Sequence, residues 1–182
     1  MNKLLLYIGI LIGLLAFQKM EGQEYTFETL GLTTVATLKT AENTTHVIIA
    51  DNVKKGWFTT ATVYSIGELA ANENIKSITL GKNIGKKISY GFFQSKTGKI
   101  DPEAFTGLTG LEEFHIGQNT YYNVTDGVLF NSNKTELLFY PAAKTATEYT
   151  LPITVTSLAS SAKINGNLTS MIIEGTKPTL AG

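Results

Sequence analysis

Apolar and polar positions along this chain fall into three stretches that superimpose. The first holds Ile66, Ala70, Asn74-Ile75, Ile78, Leu80 and Gly81. The second holds Ile100, Ala104-Phe105, Gly110-Leu111, Phe114, Ile116 and Gly117. The third holds Leu158, Ala162, Asn167-Leu168, Met171, Ile173 and, one place late, Gly175. The shared template is an aliphatic residue, an alanine four later, a variable polar stretch, and then L-x-x-I-x-L with a glycine close behind. Its closing alternation predicts a short strand with one apolar face, and the glycine allows a sharp exit from that strand. The alanine suits a tight helical or 3-10 turn, where a larger side chain would hold neighbouring coils apart. One such unit cannot bury its own apolar edge, whereas stacked units can, which predicts a solenoid. The same alternation would serve a β-sandwich, but a sandwich gives no reason for the alanine offset to recur three times.

Between the second and third copies, Asp126-Gly127 is a turn dipeptide flanked by Tyr122 and Val124 before it and Val128-Leu129-Phe130 after it. This predicts a β-hairpin. A further strand is expected at Glu136–Tyr140, stopped by Pro141. Leu137 and Phe139 follow Phe114 and Ile116 at a spacing within the leucine-rich repeat range, so the hairpin is expected to be one more coil with an elaborated return limb. Tyr90 to Lys99 interrupts the pattern as an insertion. Glu24 to Ala50 alternates apolar and polar, with Val47-Ile48-Ile49 its surest strand, and is expected to cap the stack. After Met171-Ile172-Ile173 little chain remains, so an exposed edge that a partner or a second copy would cover is expected there.

These residues carry a resemblance. The run from Tyr121 to Ile173, with D-G-V-L-F, L-L-F-Y-P and Y-T-L-P-I-T-V-T-S-L, resembles the BspA-like leucine-rich repeat family of bacterial surface proteins. The segment V-Y-S-I-G-E-L-A-A-N-E-N-I-K-S-I-T-L-G-K-N-I, Val63 to Ile84, is similar to a repeat of the same family. The resemblance covers about Val47 to Gly175 and departs from the family pattern at Ala70-Ala71 and Ala162-Lys163, which lack the aromatic that follows Ala104. It implies a leucine-rich repeat solenoid of the α/β horseshoe class, β-rich, with short parallel strands, few short helical or 3-10 turns and one β-hairpin elaboration. It also implies export to a bacterial envelope or surface, binding of other proteins, and no catalysis by the repeat itself.

The leading segment reads as an address. Asn2 and Lys3 precede an apolar run from Leu4 to Phe17, the length of a signal-peptide core and short for a membrane span. Cleavage after Gly22 would leave a mature chain with no transmembrane span, whereas an uncleaved leader would remain as an anchor. The expected organisation is therefore a signal peptide over 1–22, a cap and first coil over 23–62, and repeats over 63–182.

Composition narrows the chemistry. The 182 residues include 15 Lys+Arg against 15 Asp+Glu, a formal net charge of +0, which removes the electrostatic case for nucleic acid or acidic-lipid binding through the chain's overall field. With no cysteine there is no disulfide framework, thiolate metal site or lipidated cysteine. Charged residues make up 16% and hydrophobic ones 43%, enough for one core and low in charge because threonine, asparagine, serine and glycine fill the strands and turns.

No catalytic constellation competes. His46 and His115, the two histidines, stand in no metal-ligand spacing, and no cofactor is implied. Asp51, Asp101 and Asp126 adjoin turns, where aspartate caps backbone amides. Asn-x-Thr sequons at Asn43, Asn123, Asn133 and Asn167 are matters of composition.

Recognition is the stronger expectation. If Ile75, Ile78 and Leu80 point inward, Lys76, Ser77 and Thr79 point outward, as do Glu112, Glu113 and His115, and later Thr169, Ser170 and Ile172. Side-by-side stacking would join these into one polar, mixed-charge face for a protein or glycan ligand. Polar outward positions are also what any half-buried strand presents. Trp57-Phe58 is a second candidate, as an exposed anchor or as a lid over the open end of the core. Three classes follow: a protein-binding module, a self-assembling fragment acting through the open end, and an enzyme that would need three polar groups converging in a pocket.

Overall fold

The structure, a computed structural model, describes residues 18–20, 23–41, 44–164 and 167–180. Most of the expected signal peptide, residues 1–17 and 21–22, lies outside the described residues, as does Asn43. The described strands, in chain order, are β1 (Gln18–Met20), β2 (Gln23–Leu30), β3 (Thr33–Ala41), β4 (His46–Ile48), β5 (Asn52–Lys55), β6 (Thr59–Ile66), β7 (Ser77–Leu80), β8 (Lys87–Tyr90), β9 (Gln94–Thr97), β10 (Glu113–Ile116), β11 (Tyr122–Thr125), β12 (Val128–Asn131), β13 (Glu136–Phe139), β14 (Glu148–Leu151), β15 (Ser157–Leu158), β16 (Ser170–Ile173) and β17 (Thr179–Leu180).

The chain opens with a five-stranded sheet in the order β1-β2-β3-β6-β5, in which β3 and β6 run parallel and the other neighbours antiparallel. Alternation places Tyr25 and Phe27 of β2 and Val53 of β5 in the interior. In β6 the alternation gives way to continuous burial from Val63 to Ile66, because both of its faces are covered. One faces the main core. Against the other packs the β8–β9 hairpin, through a satellite cluster of Leu30, Val35, Tyr64 and Ile88. That hairpin is the insertion expected at Tyr90 to Lys99, and it begins earlier, at Lys87.

Beyond this sheet, successive turns of chain lie over one another. The amides of Lys76 and Ser77 donate to the Thr45 carbonyl, and those of Glu112 and Glu113 to the Lys76 carbonyl. These rungs hold β4, β7 and β10 in one parallel sheet, with β7 in the middle. Near the other end two parallel ladders alternate: β13-β15-β17 on one side and β14-β16 on the other. Threonines mark their rungs. Thr156 Oγ1 donates to the Thr135 carbonyl, Thr169 Oγ1 to that of Thr147, and Thr179 Oγ1 to that of Thr156, at sequence separations of 21, 22 and 23.

The core is one large cluster reaching from Tyr25 to Phe139 and a smaller one from Val128 to Val155. Phe105, Phe114 and Phe139 meet where strands from opposite sides of the molecule face each other, with ring centroids 4.8 to 6.3 Å apart. Tyr25, 1% exposed, has its phenol pushed up to about 12 by burial.

Three expectations are corrected. The described residues contain no helical or 3-10 segment; the repeat alanine sits instead in hydrogen-bonded turns, such as Asp101 to Ala104 and Phe105 to Leu108. The alanine offset holds for Ala104, which is fully buried, but not for Ala70, which is exposed. There the buried residue is Leu69, whose amide donates to the Ala104 carbonyl. Third, β13 does not stack on β10. The antiparallel hairpin β11–β12 consumes the chain needed to return to that sheet, so β13 pairs with β12 and joins the opposite ladder.

Candidate functional site

The parallel register of β4, β7 and β10 aligns residues in rows. Val47, Ile78 and Phe114 form an inward row, each 1% exposed or less. Outward lie His46, Ser77 and Glu113 in one row and Ile48, Thr79 and His115 in the next. Parallel in-register pairing turns the period of two within a strand into a flat panel across strands. Lys76 and Glu112 continue it at one end, with Lys76 Nζ 3.4 Å from Glu112 Oε1. His115 Nε2 lies 3.1 Å from Glu113 Oε1, and His46 Nδ1 shares a 2.7 Å hydrogen bond with Ser77 Oγ.

Six of the expected residues thus come together: Lys76, Ser77, Thr79, Glu112, Glu113 and His115. Ser77 needs correction. It points outward, yet it is only 5% exposed, because it stands in the middle strand with His46 on one side and Glu113 on the other. It therefore organises the panel more than it meets a ligand. Two members, His46 and Ile48, lie outside the outward sets that the alternation of the repeats predicts. The signal was present: once Val47 points inward, its two neighbours must point outward. Ile48, 67% exposed, supplies an apolar contact among polar groups.

Thr169, Ser170 and Ile172 are not part of this panel. They lie at or beside β16, which pairs with β14 in a separate two-stranded sheet, so a single continuous face is overturned. The interruption is the tip of the β11–β12 hairpin. The Phe114 amide donates to the Gly127 carbonyl, the Tyr149 hydroxyl to the Thr125 carbonyl, and Lys144 Nζ to the Asp126 carbonyl. The tip is therefore wedged between β10 and β14 where a direct ladder would otherwise run. Thr169 and Ser170 are exposed, and Ile172 is 36% exposed.

Trp57 is also elsewhere, at the turn between β5 and β6. Trp57 is 92% and Phe58 98% exposed, so the pair does not cover the core, and the lid reading is overturned.

As for chemistry, His46, Ser77 and Glu113 share a row on an open sheet. The Glu113 carboxylate faces His115, on the far side of Ser77 from His46, and the Ser77 backbone is committed to ladders on both sides. The row is a panel of hydrogen-bonding groups without a pocket. A groove of about 380 Å³ bordered by Ile100, Tyr122, Asn131, Leu138 and Phe139 carries Glu136 as its carboxylate and no histidine. Burial raises the Tyr122 phenol there, more than its backbone hydrogen bond lowers it. Among the described residues no three His, Asp or Glu side chains gather to hold a metal. The aspartates act in turns: Asp101 Oδ1 accepts the Glu103 amide, and Asp51 Oδ1 accepts that of Lys82.

No protein-family profile matches the sequence, and no curated protein matches it. Among solved structures, the chain is similar to a leucine-rich repeat protein from Eubacterium ventriosum, at 23% identity and a TM-score of 0.39, over 71% of this chain and 44% of that one. It is also similar to the pneumococcal vaccine antigen PcpA, at 12% identity and a TM-score of 0.29, over 87% and 67% of the two chains. A leucine-rich cell surface protein from Faecalibacterium prausnitzii gives 10% identity and a TM-score of 0.31, over 86% and 76%. The chain thus spans less than half the length of the Eubacterium protein. Among the described residues no helix is long and apolar enough to cross a membrane.

Proposed function

We propose that this chain is an exported, non-catalytic recognition module of the leucine-rich repeat solenoid type, working at a bacterial surface, and that it binds a protein partner through the outward face of β4, β7 and β10. The observation that carries this reading is the in-register alignment of His46, Ser77 and Glu113 beside Ile48, Thr79 and His115. With Lys76 and Glu112 at its end it presents donors, acceptors, both charges and one apolar side chain, and its middle strand, β7, is paired on both sides. Such a panel meets a ligand without reorganising, which is where repeat surfaces gain affinity. The BspA-like sequence features and the stacked rungs support the same reading.

The test is retention from host-matrix and envelope extracts by immobilised chain and by its Glu112→Ala, Glu113→Ala, His115→Ala triple variant. Proteins held by the unmodified chain and lost from the triple variant are expected. Equal retention by both would move the site off this face.

A second reading rests on the last rungs. Ile173 is 42% and Leu180 83% exposed, on strands at the edges of their sheets. Under this reading the chain assembles with itself through those edges, and light scattering distinguishes the two, since growth of mass with concentration in the absence of any other protein belongs to assembly alone.

A further inference from the structure

Three hairpins end in the same way. The β2–β3 turn is Gly31-Leu32, the β5–β6 turn Gly56-Trp57-Phe58, and the β8–β9 turn Gly91-Phe92-Phe93. Each glycine has a positive φ, 58°, 68° and 64° respectively, so each turn is sharp and throws the residues after it outward. Leu32, Trp57, Phe58, Phe92 and Phe93 are all essentially fully exposed. Side chains so exposed touch neither the body of the protein nor one another.

The three tips lie at one end of the molecule. β3 and β6 are parallel neighbours with Val35 opposite Thr62, which puts the turns preceding them side by side. The β8–β9 hairpin is laid along the same sheet by the satellite cluster of Leu30, Val35, Tyr64 and Ile88 and by the 2.6 Å ion pair of Lys96 with Glu28. A Cβ on Gly31 would fall 3.2 Å from the Cβ of Tyr90, so the first and third tips are in contact. Although the whole chain is neutral, the local charges are uneven: Lys54 and Lys55 stand directly behind the Trp57-Phe58 tip and Lys87 at the base of the β8–β9 hairpin, while the one acid over residues 28–35, 53–62 and 87–97, Glu28, is paired with Lys96.

Five large apolar side chains on separate projecting tips are not the packed, shape-bearing patch that a protein interface needs. They are suited to a medium that closes around each of them. Trp, Phe and Leu are the residues that settle at the boundary between headgroups and acyl chains, and lysines just behind them meet anionic headgroups. We propose that this crown of three tips inserts into the surface of a bilayer containing anionic lipid and holds the molecule there, independently of the panel on β4, β7 and β10.

Trp57 is the sole tryptophan and stands on the crown, so its emission reports the site directly. The full chain is mixed with vesicles of phosphatidylcholine and phosphatidylglycerol, with and without brominated acyl chains. The expected result is a blue shift of Trp57 and its quenching by the brominated lipid. The Phe92→Ser, Phe93→Ser variant, altered only at exposed positions, should partition at least about tenfold more weakly. Lys54→Glu with Lys87→Glu should weaken binding most at low salt. Attachment that leaves Trp57 unquenched means that another segment binds the membrane and overturns the proposal. Equal binding to pure phosphatidylcholine overturns the anionic assignment. A Trp57 shift that appears with protein extract and not with lipid overturns it in favour of a protein partner.

Discussion

A Cβ on Gly110 would lie 1.8 Å from the Glu73 carbonyl oxygen. One turn of chain therefore passes the next at a separation that only hydrogen permits at this position, and Gly110→Ala forces the two apart. The substitution is expected to cost about 2–3 kcal/mol of stability, read as a lower urea midpoint with an unchanged slope. Asn119 does a comparable job with polar atoms. It is buried, its Nδ2 donates to the Gly81 and Ile84 carbonyls, both at 2.8 Å, and its Oδ1 accepts the amides of Tyr121 and Tyr122. An Asn-Thr pair reads in sequence as part of a turn, and nothing local reveals that this one closes a gap to a distant turn of chain. Ser77 teaches the same lesson. Alternation tells which way a side chain points, while coverage by His46 and Glu113 depends on strands far away in sequence.

At the scale of elements, the β11–β12 turn has both central residues at positive φ, Asp126 at 50° and Gly127 at 75°. This is the twist that a two-residue hairpin needs. Replacing both with alanine is expected to cost about 2–4 kcal/mol and to loosen the junction between β10 and β14, because a strained turn carries the carbonyl at 127 away from the Phe114 amide that donates to it. Faster exchange of the Phe114 amide, with Ile78 still protected, would be the signature.

The hairpin itself was legible because its signal is local, a turn dipeptide between apolar runs. Its place in the fold was not. Leu137 and Phe139 follow Phe114 and Ile116 at a plausible repeat spacing, yet the hairpin reverses the chain an extra time and delivers β13 to the other ladder. The tight turn expected at each alanine was legible at Ala104 and misplaced at Ala70, since an alanine and a leucine one position apart can fill the same slot. The Gly-aromatic tip at Trp57-Phe58 stands out in the sequence, whereas its counterpart at Phe92-Phe93 lies within a segment that breaks the repeat pattern and carries no repeat signal of its own. Only the pairing of β3 with β6 and the docking of β8–β9 show that the tips belong together.

At the scale of the whole molecule, stacked rungs give one panel of aligned polar groups, an apolar crown at a different end, and exposed edges at β16 and β17. The neutral overall charge fits the proposed recognition at the panel, which would rest on local hydrogen bonding and short ion pairs rather than on a long-range field. The surface proposed to meet a protein partner is the panel on β4, β7 and β10. Amide hydrogen exchange of the chain, free and bound to a protein it retains, tests this most directly. Slower exchange is expected in peptides covering 45–50, 76–80 and 112–117 together, with 169–173 unchanged. Protection confined to 169–173 and 179–180, with the three panel strands unaffected, would contradict it.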